Sequence, residues 1–374
     1  MKNVVVVGGS IAGVTAAGTL RALGWAGQIT VLADELSPPY SRVPLSKGIL
    51  AGTEAPESAV LPALPTDVEL RIGVRAIRLH TERKSVELDT GEHVPYDGLV
   101  IATGARARRL AESGQTGEHV VRTLDDAESI AAALVEARTA IVVGAGFLGM
   151  EVASTLRHHG LEVTVIDRDP PLRRLLGDWV ADLVVAKAEE EGVRFVLAPN
   201  GVELIGEPVN GVITGPDEVF HADLVVTAAG DMPNIEWLES SGLPIAGGLV
   251  VDERCVVAPG IVAAGDVVAR EVLPGTFRRT PHWTNAVVQG QAAARALLDS
   301  ATAPYEADHY FWTEQFGLDI KIAGELPLDG DPEILAGDPT DRSTLVQWHQ
   351  DGRIAVAAIN HRMPVARLKA LTRA

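Results

Sequence analysis

Two glycine-rich segments hold the residues whose types and spacing most directly imply chemistry. The first is Val4-Val5-Val6-Val7-Gly8-Gly9-Ser10-Ile11-Ala12-Gly13, and the second is Ile141-Val142-Val143-Gly144-Ala145-Gly146-Phe147-Leu148-Gly149. Each runs from a β-branched stretch through glycines into a helix-forming stretch, the arrangement that seats the diphosphate of a dinucleotide. Gly8 and Gly144 permit a tight strand-to-helix turn where a side chain would collide. The third position lets the backbone approach the diphosphate. It is Gly146 in the second copy and Ser10 in the first, where a small hydroxyl could donate to a phosphate oxygen. Gly13 and Gly149 let the helix pack closely on the strand. The anion then meets free N–H groups at the positive end of a helix that opens, in the first copy, at Ile11.

Positioning these turns requires a strand before each and a helix and second strand after it. The pattern predicts a helix over Ile11–Leu23 and a strand Ile29–Leu32, followed by Asp34 and Glu35. The second copy predicts a helix over Phe147–His159 and a strand Val163–Ile166, followed by Asp167. An acid at that strand end accepts the hydroxyls of an adenosine ribose and disfavours a 2′-phosphate. The copies share a register, with Thr19-Leu20-Arg21 matching Thr155-Leu156-Arg157. Two such units in one chain imply two dinucleotides held at once, so that electrons can pass between them.

The remaining layout is interrupted. A Pro-rich stretch spans residues 37–65, a strand and hairpin region lies near 74–88, and Leu99-Val100-Ile101-Ala102-Thr103-Gly104 reads as a strand ending in a small turn. Glu118–Asp126 reads as a crossover and Asp125–Glu136 as an Ala-rich helix. Leu224-Val225-Val226-Thr227-Ala228-Ala229-Gly230 closes the second unit as the earlier strand closes the first. Ile261–Asp266 returns to the first unit, and strand-like segments from Ala303 form a small, rather short third domain.

At 374 residues the chain suits two or three domains. No apolar run reaches membrane-span length, and with strand valines directly after Met1-Lys2-Asn3 no signal peptide is expected. Cytoplasmic location is expected. A net charge of −18 argues against nucleic acid as a partner. The single cysteine, Cys255, falls in a predicted strand and cannot form an intramolecular disulfide. The histidines show no Cys/His grouping with metal spacing, and the expectation is no metal.

Pro39-Tyr40-Ser41-Arg42-Val43-Pro44-Leu45-Ser46-Lys47 resembles the signature of FAD-dependent, NADH-dependent ferredoxin reductases. These flavoproteins supply electrons in bacterial cytochrome P450 and aromatic-ring dioxygenase systems, and rubredoxin reductases are related. The resemblance continues in Ala264-Gly265-Asp266, His282-Trp283-Thr284-Asn285-Ala286 and Phe311-Trp312-Thr313-Glu314-Gln315-Phe316-Gly317, in the family's order over nearly the whole chain. It departs from the pattern at Val43, where proline is common, and at Pro281, where glutamate is frequent.

The resemblance implies an α/β fold of two Rossmann-like dinucleotide-binding domains of the glutathione reductase-like three-layer ββα kind, plus a small α+β C-terminal domain. Expected boundaries are 1–108 with 231–302 for FAD, 109–230 for NADH, and 303–374 for the C-terminal domain. It implies that Gly8, Ser10, Ile11 and Gly13 hold the FAD diphosphate, with Asp34 and Glu35 at the ribose end. Arg42, Thr103, Gly104 and Gly265 are also implied for FAD, with Asp266 accepting from the ribityl chain. Lys47 would lie near flavin N5, with Trp283 and Trp312 near the isoalloxazine and His282 also among the cofactor-binding residues. Gly144, Gly146, Gly149 and Gly230 would hold NADH, with Asp167 on its ribose; Arg168, Arg173 and Arg174 keep NADPH open as the less favoured donor. Glu151 would approach the nicotinamide and pair with Lys47, joining the two fingerprint units.

The implied activity is electron transfer from NADH through FAD to a ferredoxin-type iron–sulfur protein. No membrane partner is implied, and the chain could be a monomer or a homodimer. Three alternatives stay open at this level. A disulfide reductase lacks its cysteine pair here. An NADH oxidase or flavin monooxygenase would share the fold, because the fold does not fix the acceptor. A non-enzymatic NADH-responsive flavoprotein, similar to the apoptosis-inducing factors, is the third.

Overall fold

The computed structural model describes residues 1–350 and 352–373. The chain divides into two compact units: Met1–Ser41, Ala59–Arg106 and Met232–Asp308 form one, and Arg42–Ser58, Ala107–Asp231 and His309–Ala374 form the other. The excursion carrying Arg42 and Lys47 therefore groups with the second fingerprint, and the C-terminal segment does too.

In the first unit the strand Asn3–Val7 lies inside a six-stranded sheet, between Gln28–Leu32 and Gly98–Ile101, both parallel to it. Because successive side chains in a strand point to opposite faces, its four valines serve two cores. Val4 and Val6 pack with Ala16, Ala17 and Leu20 of the helix Ile11–Ala22 and with Ala293 and Ala294 of the helix Trp283–Leu298. Val5 and Val7 pack with Leu79, Val86, Leu88 and Val94 of a small three-stranded antiparallel sheet. Both faces are covered, which is why the run reads as continuously apolar rather than alternating. The result is three layers: small sheet, central sheet and helices. Gly290 brings the two helices together, since a Cβ there would lie 2.6 Å from the Ala12 carbonyl oxygen.

The second unit repeats the plan. Thr139–Val143 sits in a five-stranded parallel sheet between Glu162–Asp167 and Leu224–Thr227. Ile141 and Val143 face Leu204, Val209 and Val212 of a second small antiparallel sheet. The helix Phe147–His158 buries Met150, Val152, Ala153 and Leu156. In this unit's C-terminal segment an antiparallel five-stranded sheet runs Tyr310–Gln315, Leu318–Ala323, Arg353–Ile359, Ser343–Gln350, Glu333–Asp338 in spatial order, with the short helix Val365–Leu371. The mixed α/β architecture agrees with the expected fold class.

Three local readings change. Glu118–Asp126 is not only a crossover: Glu118–Val120 pairs in parallel with Leu224–Thr227 as the sheet edge, and the helix begins at Leu124 behind a capping box made by Thr123 and Asp126. A three-residue strand is too short for periodicity to reveal. Cys255 lies in a turn with φ 67° rather than in a strand, and the strand starts at Val256. The fingerprint helices end one residue earlier than predicted, at Ala22 and His158. Among the described residues no helix is long and apolar enough to cross a membrane.

Candidate functional site

The two fingerprint turns are built by the same steric rule. Gly8 has φ 119°, and a Cβ on it would meet the Ala102 carbonyl oxygen at 2.1 Å. Gly144 has φ 112°, and its Cβ would meet the Ala228 carbonyl oxygen at 2.3 Å. The segments that close each unit, Ala102-Thr103-Gly104 and Ala228-Ala229-Gly230, thus press their backbone against the first glycine. Gly13 and Gly149 are equally constrained: a Cβ on either would lie 1.9 Å from the carbonyl oxygen of Gly8 or Gly144. Gly146 differs, with open space where its Cβ would go. Position three is thus sterically free in the protein itself, which accommodates Ser10 in the other copy. Neither N-cap, Ser10 or Gly146, makes a side-chain capping hydrogen bond. Both helix starts therefore leave N–H groups for an anion, and the residues fit two diphosphates.

The acids occupy the strand ends. Glu35 accepts a hydrogen bond from the Tyr40 hydroxyl, while Asp34 is solvent-exposed. Asp167 is tied back into its own fingerprint: its Oδ2 accepts from the Ala145 N–H at 2.5 Å and its Oδ1 from the Arg168 N–H at 2.6 Å. The carboxylate is thereby oriented by the turn it serves.

The other first-unit candidates surround the same end of the sheet. Thr103 donates to the Asn234 carbonyl at 2.9 Å, and the Asn234 amide donates back to the Thr103 carbonyl at 2.9 Å. Gly104, in the left-handed region at φ 63°, accepts from the Asn234 N–H at 3.0 Å. Gly265 has φ 84°, donates to Gln289 at 2.8 Å, and would place a Cβ 3.0 Å from that of Ala12 in the first helix turn. Arg279 donates to the Asp266 carbonyl at 3.1 Å. His282 stands at the N-cap position of the helix that Trp283 opens, and Trp283 is 38% exposed.

In the second unit Lys47 and Glu151 meet. Lys47 Nζ is 2.8 Å from Glu151 Oε2, although the residues are 104 apart in sequence. Glu151 is buried and receives two further donors, the Ser46 hydroxyl on Oε2 at 2.6 Å and the Thr313 hydroxyl on Oε1 at 2.6 Å. Thr155 donates to the Ser46 carbonyl at 2.9 Å, and the Phe316 N–H donates to Ser154 at 2.7 Å. A 3₁₀ turn (Val43–Ser46), the fingerprint helix and the C-terminal strand Tyr310–Gln315 are thereby locked around one carboxylate. The sequence suggested that this pair would join two units; it joins segments of one. Ser46 and Thr313 stood inside recognised motifs without an assigned role, and only the register of the C-terminal strand shows theirs.

Arg42 donates to the Arg122 carbonyl at 2.7 Å. Gly230, at φ 92°, accepts from the Arg108 N–H at 3.0 Å. Trp312 stacks on Tyr310 with ring centroids 5.9 Å apart. Cys255 is fully buried, and burial pushes its thiol pKa up to about 12, which makes it inert as a nucleophile.

Residues 2–290 match the family described as pyridine nucleotide-disulphide oxidoreductase, and residues 310–374 match the reductase C-terminal domain. The chain is 36% identical over 348 residues to rhodocoxin reductase of Rhodococcus erythropolis, covering 90% of this chain and 81% of the relative. It is 33% identical to rubredoxin-NAD(+) reductase of Pseudomonas putida, covering 96% and 95%. Among solved structures, the ferredoxin reductase for the CYP199A2 system from Rhodopseudomonas palustris superposes with a TM-score of 0.88 at 30% identity, covering 96% of this chain and 92% of that one. The chain with two glycine turns, strand-end acids and a buried lysine–glutamate pair belongs to the pyridine nucleotide-disulphide oxidoreductase family, and carries its reductase C-terminal domain.

Proposed function

We propose that this protein is an NADH-dependent flavoprotein reductase that passes electrons through FAD to a ferredoxin-type iron–sulfur protein. The observation that carries the reading is the pairing of two sterically enforced dinucleotide turns with a lone, buried, unreactive cysteine. Electrons that enter from a nicotinamide have no disulfide to leave by, so the flavin itself must hand them on. The relatives named for ferredoxin and rubredoxin support that acceptor class, as does the solved covalent complex of putidaredoxin reductase with putidaredoxin, TM-score 0.87 at 29% identity, covering 99% of this chain and 92% of that chain.

When bound, the two cofactors supply a hydride from nicotinamide and single electrons from flavin, matching a two-electron donor to a one-electron acceptor. The chain's own residues bind and orient. We assign the FAD diphosphate to Gly8, Ser10, Ile11 and Gly13, its ribose to Glu35, and its remaining contacts to Arg42, Thr103, Gly104, Gly265 and Asp266. NADH falls to Gly144, Gly146, Gly149 and Gly230, with Asp167 on its ribose. Lys47 is the cation assigned to the flavin ring, and Glu151 fixes that cation in place. Trp283 and Trp312 are assigned to the isoalloxazine surroundings.

The test is anaerobic stopped-flow reduction by NADH followed by addition of a ferredoxin. Rapid flavin bleaching and ferredoxin reduction are expected. Bleaching without turnover of any iron–sulfur acceptor, but with rapid oxygen consumption in air, would turn the assignment to an oxidase. In Lys47→Ala, hydride transfer should slow while FAD content stays the same; an unchanged rate removes Lys47 from the reaction.

A further inference from the structure

We propose that His80, Glu87 and His93 form a divalent transition-metal site on the small antiparallel sheet of the first unit. Their ligand atoms all lie within 4.8 Å of one another, and His80 Nε2 is 2.9 Å from Glu87 Oε2. The sheet register explains the convergence. Glu87 is directly opposite His93 across one strand pair, while His80 pairs with Ser85, one same-face step along the other. The intervening residues Leu79, Val86, Leu88 and Val94 point to the core and are at most 8% exposed. They clamp all three strands from behind, so the backbone that carries the ligands is rigid while the ligand face meets solvent.

Two imidazoles and one carboxylate are the donor set that zinc accepts, at about 2.0–2.2 Å, with a fourth position left to water. That geometry requires donors roughly 3.4 Å apart, a contraction that rotation of the exposed His93 ring can supply. The His80 and His93 rings already approach with centroids 5.3 Å apart. Metal binding would replace the His80–Glu87 hydrogen bond, with each imidazole ligating in its neutral form through a deprotonated ring nitrogen. Arg78 is directly opposite Glu87 and solvent-exposed, so its head group can move away. Such a site would staple three strands together rather than take part in electron transfer.

Isothermal titration of the EDTA-treated full chain with zinc chloride tests the proposal, alongside His93→Gln and Glu87→Gln. One zinc per chain with micromolar affinity is expected, weakened at least tenfold in each variant. Zinc should also raise the melting temperature of the parent and not of Glu87→Gln. Identical isotherms for the parent and both variants would place any zinc on other histidines and overturn the site, as would no binding at 100 µM metal. Cobalt(II) gives a second readout: a tetrahedral visible spectrum in the parent that is lost in His93→Gln supports the ligand set, and its absence in the parent overturns it.

Discussion

At the scale of single residues, the Glu151 carboxylate organises the candidate redox site. Its two oxygens are shared by Lys47, Ser46 and Thr313, so the position of the lysine ammonium depends on the hydroxyl of its neighbour Ser46 and on one from the C-terminal strand. Hydrogen bonds to charged groups contribute about 1.5–3 kcal/mol. We therefore expect Thr313→Val to slow NADH-driven flavin reduction by roughly tenfold, with FAD content unchanged and with Thr313→Ser near the parent rate. Equal rates in all three proteins would show that Thr313 only packs. Cys255 makes an opposite prediction. Its buried thiol should resist maleimide in the native protein and react promptly in denaturant, and fast native labelling would contradict its placement.

At the scale of elements, the fingerprint turns show how much depends on one missing methyl. Gly13→Ala and Gly149→Ala each force a Cβ onto a backbone carbonyl that the helix and strand hold rigidly. Overpacking of this kind costs roughly 1–3 kcal/mol, and loss of one bound dinucleotide should accompany it: FAD content for Gly13→Ala, NADH affinity for Gly149→Ala. Gly146→Ala has open space and should be milder in stability than in NADH binding. Asp167 links strand end to turn through the Ala145 N–H, so Asp167→Ala should both relax the preference for NADH over NADPH and lower the melting temperature of the protein. A stability loss with unaltered coenzyme preference would confine Asp167 to the turn.

At the scale of the whole molecule, two units with parallel sheets covered on both faces account for the high apolar content of the strands. Stability should depend on pH through His119 in the edge strand Glu118–Val120, where burial first, and then the charge of Arg109, lower its pKa. A depressed folded pKa means that the unfolded chain binds the proton more readily. The contribution is therefore present above the unfolded value of about 6.5 and is lost as pH falls below it. Melting temperature should fall between pH 7.5 and 5.5, and fall less steeply in His119→Gln; equal slopes would assign the pH response elsewhere. The net charge of −18 offers no long-range attraction for an acidic partner. Any such attraction must come from local clusters of basic side chains.

What was legible in the sequence was what local sterics dictate. The glycine turns, the flanking helices and the strand-end acids follow from backbone clearance and from hydrogen-bonding needs that span a few dozen residues, and the structure places them as the spacing predicts. The lysine and glutamate stood out only through surrounding motifs, since nothing local relates residues 104 apart. What the tertiary structure alone decided was which side chains share a face. Grouping Arg42–Ser58 with the second unit, aiming Thr313 at Glu151, and aligning His80, Glu87 and His93 all depend on strand register and chain excursions. A shift of one residue in a strand reverses every side chain, so such clusters are set by the cooperative packing of whole sheets and not by sequence spacing.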